Sequence, residues 1–395
     1  MASLTRTVLS EIKFFITIIL IYISKLIIKL IPKQRNLIIF TSWFGTRYAD
    51  NTMYVYERFL EEPKYESFWY TKSKLIYDEL RRSGKPVILH NSLRYFWIII
   101  RANVLFSTTQ TSDYSPYLLS GCKLLDLGHG HPIKDIGSIG SNKKSKYLFS
   151  LSKKFIKFYM VVTSDFAKNR ASLDFNIPEK NIYISNFARN DVFNDLSLRV
   201  LKNDLITSIK KDRKAIVYMP THRSDGIVKM NIHEILDLER IQKICYDNNF
   251  VFIIKKHFYH RLEKEDLSEY LNIYDISSEE NIDSQVLLSQ TDILITDYSA
   301  CFIDFLLLNR PIILYQYDIE EFQKNERSFF IPFTQLNIGE KPKNKLELNK
   351  TINEYISGYV DKYIEERVKL SMFYFNSLEP NKGRDNALKI LDKII

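Results

Sequence analysis

The stretch DILITDYSACFIDFLLLNRPIILY, residues Asp292 to Tyr315, contains two short apolar runs separated by a helical pattern. Ile293–Thr296 is too short for a helix and rich in β-branched residues, so it predicts a buried strand. Asp297, Tyr298 and Ser299 follow as a polar loop, and Ser299–Asn309 then predicts a helix. Arg310–Pro311 ends that helix, because the residue before a proline is biased away from helical geometry, and Ile312–Tyr315 opens a second strand. Two apolar strands joined through a helix lie parallel, and strands apolar at every position must be covered on both faces.

The same rhythm extends in both directions from this unit. Towards the amino terminus it includes the strand patterns AIVYMP (215–220) and NFVFIIKKH (249–257), with the helical pattern NIHEILDLERIQKICYDN (231–248) between them. Earlier still come NLIIFTSW, YESFWYT, KPVILH, ANVLFST, KLLDLGHG, YMVVTSD and NIYISNFARND, with TMYVYERFLEE and SKLIYDELRRSG as helices. A charged helical stretch between Asn194 and Arg213 separates two such series, and the chain after Tyr355 reads as helix. These patterns predict an α/β protein with two Rossmann-like domains whose parallel sheets face a cleft. The expected divisions are a helix over 1–34, a first domain over 35–195, and a second over 196–395 with a helical tail. In such sheets ligands bind at the carboxyl ends of the strands.

The chain has 395 residues and a formal net charge of +9, a basic balance suited to nucleic acid, anionic lipid or phosphate-bearing substrates. It carries no zinc-finger spacing and no RNP-like aromatic motif, so nucleic acid is not the expected partner. Cations concentrate at the start, where Arg6, Lys13, Lys25, Lys29, Lys33 and Arg35 are set against Glu11. The apolar run Phe14–Ile23 is about half of the ~20 residues a spanning helix needs. Lys25 and Lys29 lie four apart, on one helical face, and this predicts a helix lying in a membrane interface with its lysines towards anionic headgroups. A tilted spanning helix and an ordinary core helix are the competing readings. Cys122, Cys245 and Cys301 are far apart in apolar surroundings and read as reduced core residues.

Four loops at predicted strand ends carry the candidate chemistry. In LDLGHGHPIKDIG, residues 125–137, Gly128 and Gly130 flank His129, and Pro132 and Lys134 follow His131. An imidazole there suits proton abstraction from an alcohol at neutral pH; a pair of hydrogen-bonding loop histidines fits the spacing equally well. YMPTHRSDG supplies Thr221, His222 and Arg223, and IIKKHFYH supplies Lys255, Lys256 and His257. In the TDYS loop, Asp297 or Ser299 serves as a helix cap, or as part of a phosphate site. Converging on one edge, these loops describe a pyrophosphate site. There is no DxD pair, P-loop, GxSxG elbow or HExxH, so neither a metal nor a cofactor is required.

Together, and in order, these loops resemble the CDP-glycerol glycerophosphotransferases of teichoic acid and capsule synthesis. The family strings DNP, WHGTPxKxIG, GxPRND, APTxR, KxHP, TDYSSxxFDFxxLxRPIIFYxxD and RGFY are similar to the present Asp50–Asn51 of ADNTMY, GHGHPIKDIG, NFARND with Arg189, MPTHR, KKHFY, TDYSACFIDFLLLNRPIILYQYD and ERSFF with Arg327. Departures are Thr52, Gly128, His131, Ala188, Phe258 and Ala300. The resemblance implies a GT-B-like fold and peripheral, monotopic association with the cytoplasmic face of the membrane. It also implies transfer of an alditol phosphate, glycerol phosphate first, from a CDP-activated donor to a hydroxyl of a polyprenyl-pyrophosphate-linked acceptor, releasing CMP. By motif, His129 matches the base, with His131 as its rival, and His131 and Lys134 of the same loop are also expected to bind the donor phosphates. His257 with Lys255, Thr221 with Arg223, Asp297 with Ser299, and Arg327 match groups that hold the donor phosphates. A metal-independent glycosyltransferase using a nucleotide-sugar, or a membrane-bound scaffold, are the alternatives.

Overall fold

The computed structural model describes residues 2–133, 147, 150–151, 153–195, 197–198, 205–223, 229–257, 265–279, 282–325, 331, 335–358, 360–376 and 382–395. The chain divides into two compact units. The first comprises Met1–His129, Gly137–Arg189 and Lys382–Ile395; the second comprises Gly130–Ile136 and Asn190–Asn381.

The first unit is built on a parallel sheet of seven strands: β1 (Gln34–Phe40), β2 (Glu66–Thr71), β3 (Val87–Leu89), β4 (Ala102–Ser107), β5 (Lys123–Asp126), β6 (Lys157–Val162) and β7 (Ile182–Ile184). Their order is β3-β2-β1-β4-β5-β6-β7. The second unit has five parallel strands, β8 (Lys214–Met219), β9 (Phe250–Ile254), β10 (Ile273–Asp275), β11 (Ile293–Thr296) and β12 (Ile312–Leu314), in the order β10-β9-β8-β11-β12. Each sheet therefore grows outward from its first strand and then crosses back to the other side. The crossing leaves a crevice between β1 and β4 in one unit and between β8 and β11 in the other, the point at which doubly wound sheets bind ligands.

The strand interiors are apolar, as parallel strands covered on both faces must be. All six residues of β4 and all five of β9 are buried. Phe40 on β1 pairs in register with Phe106 on β4, and their rings stack at 4.5 Å. Burying each such side chain contributes roughly 1.5–3 kcal/mol. Helix starts are marked by local chemistry: Ser73 accepts from the Ile76 N–H, and Ser164 from the Ala167 N–H.

Three features depart from the reading of the sequence. The division falls at 189/190 rather than 195/196. The last helix, Gly383–Ile394, belongs to the first unit, where Asp385 pairs with Arg58 at 2.8 Å and Asp392 accepts from the Tyr65 hydroxyl at 2.7 Å. Gly383 permits this, since a Cβ there would lie 2.7 Å from the Ala188 backbone.

The third departure concerns the amino-terminal helix, Ala2–Lys29. Lys25 does not point outward. It is fully buried and donates from Nζ to the Leu119 carbonyl at 3.0 Å, while the Ser120 hydroxyl donates to the Lys25 carbonyl at 2.6 Å. Burial lowers its pKa to about 8. Ile21 and Ile28 share this docked face, whereas Phe15, Ile16, Ile19, Leu20, Ile23, Leu26 and Ile27 are exposed. Among the described residues, no helix is long and apolar enough to cross a membrane.

Candidate active site

In the first unit the site forms where β1, β4 and β5 end. Asp126 closes β5, and the chain turns through Gly128 at φ +64° and Gly130 at φ +125°, a region open to glycine. His129, between them, is exposed. Its Nδ1 lies 2.8 Å from the carbonyl oxygen of Thr108, which follows β4. A carbonyl only accepts, so Nδ1 carries the proton and Nε2 keeps its lone pair. That tautomer is the one a general base needs.

The imidazole is framed by residues from three other segments. The indole of Trp43, in the loop after β1, packs on it with ring centres 4.8 Å apart. Trp43 Nε1 donates to Asp50 Oδ2 at 3.1 Å, and Arg189 donates to Asp50 Oδ1 at 3.1 Å and to the His129 carbonyl at 2.7 Å. Asn51 donates from Nδ2 to the Leu127 and Gly128 carbonyls, both at 3.0 Å, and accepts the Arg189 N–H on Oδ1 at 3.1 Å. The Asp50–Asn51 pair and Arg189 thus pin the histidine loop from both sides. Trp43, Phe44 and Asp50 have φ of 48°, 60° and 66°. Non-glycine residues hold such angles at a cost of about 1–3 kcal/mol each, and they cluster at functional sites.

Two buried carboxylates support the same loops. Asp113 accepts from the N–H groups of Phe44 (2.6 Å), Thr108 (2.8 Å) and Thr109 (2.9 Å), so it fixes the carbonyl that orients His129. Burial raises its pKa, against the pull of those hydrogen bonds. Asp126 accepts from Gly128 N–H at 3.2 Å and the Ser107 hydroxyl at 3.3 Å. Burial, with the Asp113 charge adding, pushes it up to about 7.

His131 falls in a different environment. It is buried in the second unit, with its ring edge-on to Tyr374 and Phe375 at 5.0 and 4.9 Å. Packed as an apolar wedge, it is poorly placed to contact substrate, which corrects its reading as an alternative base and phosphate ligand. Lys134 and Arg327 lie outside the described residues.

In the second unit, Thr221 and Arg223 follow β8, His257 follows β9, and Asp297 and Ser299 follow β11. Arg223, read as a phosphate ligand, is a structural hub. Its guanidinium donates to Asp297 Oδ2 at 2.8 Å, to Asp318 Oδ2 at 2.8 Å and to the Thr221 carbonyl at 2.6 Å. The rings of Tyr298, Tyr317 and Phe322 surround it at 4.8–5.7 Å. Asp297 is likewise engaged: beyond Arg223 it accepts the N–H of Thr221 at 2.8 Å and that of Tyr298. This salt bridge ties three strand ends together. Lys255 binds the carbonyls of Ile276 and Glu279 at 3.4 and 3.2 Å, which also makes it a loop tie. Ser299 accepts the Cys301 N–H at 3.4 Å, as a cap does. Asp304 is buried and accepts from Asn190 and Gln285 at 2.9 and 3.0 Å.

Two further features mark these loops. The rings of His222 and His257 lie together, centres 4.7 Å apart. Next to His222 in sequence, the Thr221 hydroxyl is buried and has no hydrogen-bond partner among the described residues. Among the described residues, no group of three or more His, Cys, Asp or Glu is arranged to hold a metal ion. Trp43, Thr108, Asp113 and Asp126 are site residues that no sequence motif marked.

The chain resembles known proteins along most of its length. It is 26% identical to the teichoic acid glycerol-phosphate transferase of Staphylococcus aureus over 386 residues, 92% of this chain and 95% of that one. It is 27% identical to the teichoic acid poly(glycerol phosphate) polymerase of Bacillus spizizenii over 390 residues, covering 93% and 94%. Among solved structures, the wall teichoic acid polymerase TagF, as its H444N variant with CDPG, superposes with a TM-score of 0.79 at 22% identity, over 100% of this chain and 98% of that one. That likeness shows the fold, a GT-B-like pair of parallel α/β units. The model of the CDP-glycerol:poly(glycerophosphate) glycerophosphotransferase family matches residues 23–393, and the chain belongs to that family.

Proposed function

We propose that this enzyme transfers glycerol phosphate from CDP-glycerol to a hydroxyl of a polyprenyl-linked teichoic acid precursor, releasing CMP. The acceptor oxygen attacks the glycerol-bearing phosphorus as the bond from that phosphorus to the CMP oxygen breaks. His129 Nε2 takes the hydroxyl proton. His257 and the Ser299 loop bind the donor phosphates and stabilise the charge that develops on their oxygens. A positioned base contributes about 10²–10⁴-fold. The observation that carries this reading is the Nδ1–H bond of His129 to Thr108, which leaves Nε2 as a base on an exposed loop. The apolar outer face of the amino-terminal helix supports work at the cytoplasmic membrane surface, where a polyprenyl-linked acceptor is held. The test is to incubate the full chain with CDP-glycerol and a lipid-linked acceptor, following CMP by chromatography and the product by mass spectrometry. CMP release with a product heavier by one or more glycerol phosphate units supports it. Transfer from UDP- or GDP-sugars, with CDP-glycerol inert, rejects it.

A further inference from the structure

The loops after β8 and β9 present an unusual balance of charge. Asp297 and Asp318 share Arg223. Glu265 and Asp275 share the buried Lys256, at 3.4 and 3.3 Å. Two cations thus serve four carboxylates, and Arg223 and Lys256 have no charge left over for a ligand. At the same strand ends, Lys255 N–H donates to the Tyr218 carbonyl at 2.9 Å, so β8 and β9 stay paired up to the point where the two loops leave. That pairing brings His222 and His257 into ring contact at 4.7 Å, both partly exposed. Thr221 is more than nine-tenths buried, and its hydroxyl has no hydrogen-bond partner among the described residues. A buried hydroxyl without a partner costs roughly 1–3 kcal/mol, and a ligand that accepts from it, next in sequence to His222, would relieve that cost.

We propose that His222, together with His257 and the Thr221 hydroxyl, forms a two-imidazole clamp for a diphosphate, making His222 a substrate-binding residue of this enzyme. The proposal rests on the donor reading above. Phosphate oxygens accept from imidazole N–H groups and from the threonine hydroxyl, and charge-assisted bonds of this kind are shorter and stronger than neutral ones. The clamp also gives the ring contact a purpose: two imidazoles side by side span adjacent phosphates, where a single one meets only one.

Binding of inorganic pyrophosphate, CDP-glycerol and cytidine is measured by calorimetry for the full chain and for His222→Ala, His222→Gln and His257→Ala, with thermal melting as a check on folding. His222→Ala is expected to weaken pyrophosphate and CDP-glycerol about 10- to 100-fold, to leave cytidine unchanged, and to raise KM for the donor more than it lowers kcat. The His222→Ala/His257→Ala double variant is expected to lose less than the product of the single losses, as for two groups on one ligand. Unchanged pyrophosphate affinity in both folded His222 variants overturns the clamp even if CDP-glycerol is turned over. An equal loss for cytidine also overturns it, because that marks a collapsed loop. If CDP-glycerol is not a substrate, the donor reading fails on its own, and the pyrophosphate titration still decides the clamp.

Discussion

Asp50→Asn tests whether the frame around His129 matters to catalysis. The carboxylate presents one oxygen to Trp43 Nε1 and the other to Arg189, both at 3.1 Å. An amide offers a single acceptor oxygen; its NH2 group must face one of those two donors. The substitution keeps the side-chain shape, and asparagine tolerates the φ of 66° at this position, so backbone strain is not added. The Asp50 and Arg189 side chains are 7% and 12% exposed. Removing one partner of a buried pair costs about 3–5 kcal/mol, and Arg189 keeps its bond to the His129 carbonyl, so the expected loss of stability is about 3 kcal/mol. Arg189 and Trp43 both touch the histidine, and an error of about 1 Å in a reacting group costs roughly 10²-fold. Expected, then, is a 10- to 100-fold fall in kcat for CMP release with little change in donor KM. Urea denaturation gives the stability and steady-state kinetics the rates. A variant within about 0.5 kcal/mol of the parent that keeps full kcat refutes the frame.

Two further predictions concern pH and lipid. Burial raises the Asp126 carboxyl from 3.8 to about 7. Between these values the folded protein holds a proton that the unfolded chain releases, so this group's contribution is present below about pH 4 and is lost as pH rises to about 7. The difference in unfolding free energy between the parent and Asp126→Asn should therefore shift by a few kcal/mol in favour of the variant between about pH 4 and pH 8; a pH-independent difference refutes the assignment. Ile19→Glu/Ile23→Glu changes two residues that are 44% and 48% exposed on the amino-terminal helix. It should reduce flotation with anionic vesicles at least 10-fold without altering the melting temperature, and unchanged flotation rejects this face as the lipid contact.

What could be read from the chain depended on how local each signal was. The strands with unbroken Val, Ile and Leu runs declared themselves, because a parallel sheet covered on both faces requires that composition at every position. Short β10, Ile273–Asp275, gave no such run and went unread. The helix Gly383–Ile394 was legible as a helix, whereas its place in the first unit was not. That placement depends on partners such as Arg58 and Tyr65, more than 300 residues away, which no periodicity reveals. His129 and His131 are two residues apart and chemically identical in sequence. The turn at Gly130 sends one onto an exposed loop and the other into an aromatic pocket. Arg223 read as a ligand because a basic residue after a strand suggests an anion. Its true partners, Asp297 and Asp318, lie 74 and 95 positions downstream. Trp43 is a large aromatic in the loop leaving the first strand, at the crevice where the sheet changes direction, and only the fold brings it onto the imidazole.

The most direct measurement is the single-turnover rate of CMP release by folded His129→Gln at saturating CDP-glycerol and acceptor. Glutamine keeps a donor for the Thr108 carbonyl but has no basic nitrogen. If His129 is the base, the rate falls by about 10²–10⁴-fold while donor affinity is retained. A rate equal to that of the parent enzyme contradicts the account.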